Sequence, residues 1–187
     1  MPEKYAKAVM TGVGSAGRTS IINCFLGIKW DTKQTRSIGS QFIVKRVRYQ
    51  DSTLILQIWP LIYNQKRPLF ASQMYYRGAS VVVIVYSVID RNSFINVPEF
   101  VAEAHKSIDR HEKVPIIILG NKVDLRNTVP SHKRVTTREG EELTQKLSYQ
   151  MGSPFVFMET SAKTGENIKR FLTTIIEMSG DYSSSYY

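Results

Sequence analysis

The apolar positions of the chain fall into segments of two different periods. Tyr5 to Met10 ends in a short apolar run, Ala8-Val9-Met10, and reads as a first strand. Thr19 to Leu26 has helical spacing, and the polar stretch Gly27 to Ser40 reads as a loop. Gln41 to Tyr49 alternates through Phe42, Val44, Val47 and Tyr49, and Thr53 to Trp59 alternates through Leu54, Leu56 and Ile58. Asp51-Ser52 between these two strands predicts a hairpin. Pro60 to Met74, with two prolines, reads as irregular. Ser80 to Ser87 contains Val81-Val82-Val83-Ile84-Val85, and Val114 to Gly120 contains Pro-Ile-Ile-Ile-Leu; both are runs typical of strands buried on two faces. Ser93 to Arg110 is helical through Phe94, Val97, Val101, Ala104 and Ile108, with Pro98 in the first turn of its regular part. Thr136 and Glu139 form a capping box that opens a helix to about Tyr149. Pro154 to Glu159 is a last strand, and Asn167 to Met178 a last amphipathic helix.

Buried strands alternating with helices predict an α/β fold, a mostly parallel six-stranded sheet with helices on both faces. One domain spans residues 1–178, and the Ser/Tyr-rich residues 179–187 read as a flexible tail. In such sheets ligands sit beyond the carboxyl ends of the strands, so the residues following each strand are where chemistry is expected.

Composition narrows the partners. Twenty-five Lys and Arg against sixteen Asp and Glu give a net charge of +9, which favours anionic partners. No run of five basic residues occurs, so a solvated basic surface fits better than a nucleic-acid tract, and an RNA-binding module is a distant alternative. The single cysteine, Cys24, excludes an intrachain disulfide and fits a reducing compartment. No apolar run is long enough to span a bilayer, no signal-peptide pattern opens the chain, and a cytoplasmic protein is expected.

The first strand runs into Gly12, Val13, Gly14, Ser15, Ala16, Gly17, Arg18 and Thr19, followed by Ser20. This is the phosphate-binding spacing G-x-x-x-x-G-K-[ST] with arginine in place of lysine. Gly12 and Gly17 permit backbone turns that aim successive N–H groups at one anion, and the helix behind adds its positive end. Arg18 would reach phosphate oxygens and the Thr19 hydroxyl would ligate Mg²⁺. Alone, the loop is read equally well as a glycine turn with no ligand.

Two further segments follow strands. Asn121-Lys122-Val123-Asp124-Leu125 follows the fifth, and Thr160-Ser161-Ala162-Lys163 the sixth. The Asp124 carboxylate can accept two hydrogen bonds from a purine that bears an N1–H and a 2-amino group, which selects guanine over adenine. A lysine stem can lie over the ring, and the Ala162 N–H can meet the O6 acceptor. Each segment alone is an ordinary polar turn, but all three in order at strand ends are far less common by chance.

With these segments and Ile38-Gly39-Ser40-Gln41-Phe42, Leu56-Gln57-Ile58-Trp59, Tyr75-Tyr76-Arg77-Gly78-Ala79 and Thr164-Gly165-Glu166-Asn167, the chain resembles the Ras superfamily of small GTPases, specifically the Rab family, from about Tyr5 to Met178. The resemblance implies a Ras-like P-loop G domain that binds GTP or GDP with Mg²⁺. It places Trp30 against the base and the Ser37 hydroxyl on the metal with Thr19. It makes Phe42, Trp59 and Tyr75 an effector-reading aromatic cluster, for which ordinary core packing is the alternative.

The family pattern after Leu-Gln-Ile-Trp is Asp-Thr-Ala-Gly-Gln, where this chain has Pro60-Leu61-Ile62-Tyr63-Asn64. By that resemblance a metal-shell carboxylate becomes Pro60, a γ-phosphate-facing glycine becomes Tyr63, and the water-orienting glutamine becomes the shorter Asn64, with Gln65 a substitute one place on. One extra residue also separates Trp59 from Tyr75. The losses fall on catalysis more than on binding, and Mg²⁺ is expected to be weakly held. The chain also lacks the C-terminal cysteines that Rabs carry, so either no stable membrane anchor is expected in this chain or it is a fragment of a longer protein. The expected protein is a divergent Rab-like regulator of vesicle trafficking with slow GTP hydrolysis. It would work through effectors and exchange factors of Rab type, without nucleic acid, and peripherally on vesicle membranes through its partners. The alternative is a nucleotide-free pseudo-GTPase scaffold.

Overall fold

Strands that are apolar at every position need cover on both sides, and this chain supplies it from helices that alternate with its parallel strands. The computed structural model describes residues 3–28, 42–49, 52–61, 69–109 and 113–180. In chain order the elements are β1 (Glu3–Gly12), α1 (Arg18–Phe25), β2 (Ile43–Tyr49), β3 (Ser52–Pro60), α2 (Leu69–Tyr76), β4 (Val81–Ser87), α3 (Arg91–Ile95), α4 (Val97–Ser107), β5 (Ile116–Asn121), α5 (Thr137–Met151), β6 (Phe155–Thr160) and α6 (Ile168–Gly180). The strands form one six-stranded sheet in the order β2-β3-β1-β4-β5-β6. Only β2 and β3 pair antiparallel, with Tyr49 opposite Ser52, as the predicted hairpin requires.

The period of two along each strand sorts side chains into two cores. Met10, Leu56, Val83, Val85 and Leu119 pack on one face with α1 and α6, through Ile21, Phe25, Phe171 and Ile175. Val9, Val82, Ile84, Tyr86 and Ile118 pack on the other with α4, through Val97, Phe100, Val101 and Ala104. The seven residues of β4 are all buried, which is the physical content of its valine run. Burying a Val, Leu, Ile or Phe side chain stabilises by roughly 1.5–3 kcal/mol, so these two layers are the main folding term.

Three expectations change in detail. The stretch read as irregular, Pro60 to Met74, instead contains most of α2. Its start signal was Pro68 just before Leu69. Tyr76, the last residue of α2, is fully buried in the second core. The helix expected over Ser93 to Arg110 is two helices. Asp90 caps α3 by accepting from the Asn92 and Ser93 N–H groups, and Pro98 sits in the first turn of α4, where its missing N–H costs nothing. β1 is also longer than the apolar run that announced it, reaching Gly12.

The capping box of α5 is present in full. The Glu139 N–H donates to Thr136 Oγ1 at 3.2 Å, and the Thr136 N–H donates to Glu139 Oε2 at 2.8 Å. Arg91 at the start of α3 donates to the same carboxylate at 2.7 Å, joining α3 to α5. The Arg91 hydrogen bond, and then the Thr136 N–H, hold the Glu139 carboxyl down to about 2 from an ordinary 4.5. A lowered folded-state pKa contributes stability that is present above about 4.5 and lost as pH falls through about 2. Glu139→Gln keeps the cap and removes the charge. In urea unfolding across this range, parent and variant should differ most near neutral pH and converge towards pH 2; a pH-independent difference would contradict the assignment.

Candidate functional site

The candidate site lies where the winding of the sheet changes direction. From β1 the chain proceeds towards β2 and β3 on one side, and from β4 towards β5 and β6 on the other. The crevice beyond the carboxyl ends of β1 and β4 is therefore the topological switch point, the usual ligand position in such sheets. The glycine loop leaves β1 there. Gly12 has φ of +130°, and a Cβ on it would stand 2.1 Å from the Val85 carbonyl oxygen of β4. No other residue fits at that close approach. Gly14, Ser15 and Ala16 then form one 3₁₀ turn, Gly17 takes a left-handed conformation with φ of +91°, and α1 begins at Arg18. Gly14 and Ser15 are exposed, and Gly17, Arg18, Thr19 and Ser20 are half-buried. The first-turn N–H groups of α1 have no acceptor within the helix, which is the setting in which helix N-termini bind anions.

The two segments read as base-recognising are tied to this loop. Asn121, the last residue of β5, is buried. Its side-chain amide donates to the Ala16 carbonyl at 2.8 Å, and its oxygen accepts from the Ala162 N–H at 3.2 Å. Lys122 is held at φ of +70°, a left-handed conformation that costs a non-glycine residue energy, and its Nζ donates to the Ser15 carbonyl at 2.7 Å. Asp124 and Leu125 lie in the 3₁₀ segment Val123–Thr128. Ser161 Oγ donates to Asp124 Oδ1 at 2.7 Å while accepting from the Thr164 N–H at 3.1 Å. Ser161 and Ala162 are buried and Lys163 is exposed. The structure thus brings Ser15, Ala16, Asn121, Lys122, Asp124, Ser161 and Ala162 into one connected cluster. The Ala162 N–H, read as a donor to a ligand, already serves Asn121, so a base oxygen would share it. The Asp124 carboxylate spends one hydrogen bond on Ser161, and its remaining lone pairs can accept from a base.

Arg18 does something the sequence did not announce. Among the described residues, its guanidinium donates through Nη1 to the carbonyl of Leu61, just past β3. Burial pulls its pKa below the ordinary value. Asp90 was also missed: besides capping α3 it accepts from Ser15 Oγ at 3.4 Å, so it borders the glycine loop. Sequence gave no signal beyond its N-cap position.

On the second core's side of β3, three aromatic residues form a stack. Phe42 lies parallel to Trp59 with ring centroids 4.8 Å apart, and Tyr75 meets Trp59 edge-on at 6.3 Å. Phe42 is 47% exposed, while Trp59 and Tyr75 are half-buried against the second core. The two readings of this trio are thus both partly met, as it packs on the core and presents a face to solvent. Lys7 Nζ lies 4.4 Å over the Trp59 ring and donates to the Arg77 carbonyl at 2.9 Å, a contact that sequence did not suggest.

Trp30, Ser37, Asn64 and Gln65 lie outside the described residues. Among the described residues, the protein donors available to Mg²⁺ are few. Thr19 offers a hydroxyl and Pro60 offers no side-chain oxygen, and among the described residues no group of three His, Cys, Asp or Glu side chains comes together. Beside the Thr19 hydroxyl, a divalent cation here would draw on ligand phosphates and water. A guanine nucleotide fits better, with acceptors at Asp124 and a glycine loop beyond β1 joined through Asn121. No helix among the described residues is long and apolar enough to cross a membrane. A family model described as the Ras family matches residues 7–180.

Proposed function

The chain belongs to the Ras family, and on that premise we propose that it is a divergent, Rab-like guanine-nucleotide-binding regulator of vesicle trafficking that hydrolyses GTP slowly. Domains of this family bind guanine nucleotides and Mg²⁺ and act through protein regulators. The observation that carries the nucleotide reading is the cluster built on Asn121. It joins the loop that would hold phosphates, through Ala16, to the segment that would read a base, through Ala162. In this reading Asp124 pairs with the base N1–H and 2-amino group, Lys122 and Lys163 flank the ring, and the loop from Gly12 to Ser20 holds the phosphates. The Rab-like part rests on the Phe42–Trp59–Tyr75 stack and on Tyr75-Tyr76-Arg77-Gly78-Ala79. An exposed aromatic face suits apolar effectors of Rab type.

Slow hydrolysis follows from what stands at the end of β3. Pro60 has neither a carboxylate to order a metal's water shell nor an N–H. Phosphoryl transfer depends on positioning and electrostatics, so this loss acts on the chemical step. A second reading, a nucleotide-free scaffold, is favoured by one observation, the docking of Arg18 on Leu61.

Asp124→Ala removes a pair of charge-assisted hydrogen bonds, each contributing roughly 1.5–3 kcal/mol. Fluorescent GDP should therefore bind the variant at least about a hundredfold more weakly, while circular dichroism shows an intact fold. Equal binding would overturn the base assignment. In a single-turnover assay with preloaded GTP and excess Mg²⁺, the parent should run at or below the unassisted small-GTPase rate, on the order of 10⁻⁴ s⁻¹. A markedly faster rate would show that another residue places the water.

A further inference from the structure

We propose that Arg18 is an internal competitor of phosphate. It latches the start of α1 to the carbonyl of Leu61 at the end of β3, and a nucleotide must draw it off that carbonyl to bind. This rests on the nucleotide-binding reading above and adds a regulation of the same site.

Both ends of the latch are fixed by their own segments. Arg18 is the first residue of α1, directly after the left-handed Gly17. A Cβ on Gly17 would come within 2.5 Å of Asn121 Nδ2, so this turn packs closely against the end of β5. Leu61 is pinned to β1, its N–H donating to the Met10 carbonyl at 2.8 Å, and its side chain is fully buried. The residue is thus held against β1, and the Arg18 guanidinium donates to its carbonyl.

Chemistry explains why this residue type is found there. A half-buried guanidinium needs a hydrogen-bond acceptor. The strand end beside it offers no carboxylate, because Pro60 precedes Leu61. The carbonyl fills that need, and burial pulls the arginine below its ordinary pKa against an opposing influence from Tyr76, in keeping with this geometry. A planar, weakly hydrated guanidinium suits such a half-buried contact, whereas a lysine ammonium is a compact, strongly hydrated point charge on a flexible stem. Lysine at this position, more strongly hydrated and on a flexible stem, would leave the carbonyl for phosphate more readily. The latch has two effects. It stabilises the nucleotide-free protein, and it reduces apparent nucleotide affinity by the fraction of molecules in which the latch is open.

The test compares the parent with Arg18→Lys, both stripped of nucleotide by EDTA and phosphatase. Thermal unfolding is measured with and without GDP, and fluorescent GDP is titrated. The variant should melt lower when nucleotide-free and bind GDP roughly tenfold more tightly. These changes have opposite signs, which a merely structural role for Arg18 would not produce. If the parent binds GDP and Arg18→Lys binds it equally or more weakly, Arg18 serves phosphate directly and the latch is wrong. If neither protein binds GDP, the nucleotide reading fails; a lower nucleotide-free midpoint then still upholds the docking, and an unchanged one overturns it. Should Arg18→Lys not fold, the backbone carbonyl ¹³C resonance of Leu61 in the parent decides. GDP should move it upfield, as loss of a hydrogen bond requires, and a resonance that stays or moves downfield overturns the proposal.

Discussion

A single buried amide, the side chain of Asn121, holds the carboxyl ends of β1, β5 and β6 in fixed relation. Its nitrogen serves the Ala16 carbonyl in the glycine loop, and its oxygen serves the Ala162 N–H after β6. Each contact satisfies a backbone group that would otherwise cost about 1–3 kcal/mol in a buried setting. Against a total stability of roughly 5–15 kcal/mol, that is a large share for one side chain. The approach is possible because Gly17 has no Cβ, which would clash with the amide nitrogen. Lys122 adds a second tie to the same loop at the cost of a left-handed backbone.

That knot gives the site an uneven character. On the side of β5 and β6, Asn121, Lys122, Asp124, Ser161 and Ala162 are cross-linked, with Asp124 oriented by Ser161. On the side of β3, the strand ends in Pro60, which carries no carboxylate, and Arg18 donates to the Leu61 carbonyl. Selection for a base and control of the terminal phosphate are physically separate tasks. In the proposed reading, this chain keeps the residues for the first and departs at those for the second. The aromatic stack around Trp59 grows out of the same β3, so changes at its end and the exposed face share one element.

Much of the fold was legible because its signals are local. The valine run of β4 and the isoleucines of β5 needed no partner to be recognised, and the Thr136–Glu139 box announced α5 correctly. α2 was hidden by the prolines on either side of its approach and by apolar residues without a clear stripe. The site was legible as three segments, since phosphate and base recognition fix residue types at set spacings. What joined them was not. Asn121 reaches Ala16 across 105 positions, and Arg18 reaches Leu61 across 43. Both contacts end on backbone carbonyls, which carry no residue identity and leave no trace in a sequence. The Asp90–Ser15 contact was hidden for a different reason, because an N-cap aspartate already has a complete local explanation.

The central claim is that this architecture selects guanine through Asp124 while the phosphate side has diverged. Calorimetric titration of the nucleotide-stripped chain with GDP and, separately, with ADP tests it most directly. A site that pairs with the base N1–H and 2-amino group leaves its acceptor unpaired when adenine enters, so GDP should bind at least about a hundredfold more tightly than ADP. Equal binding of the two, or no heat from either, would contradict the account.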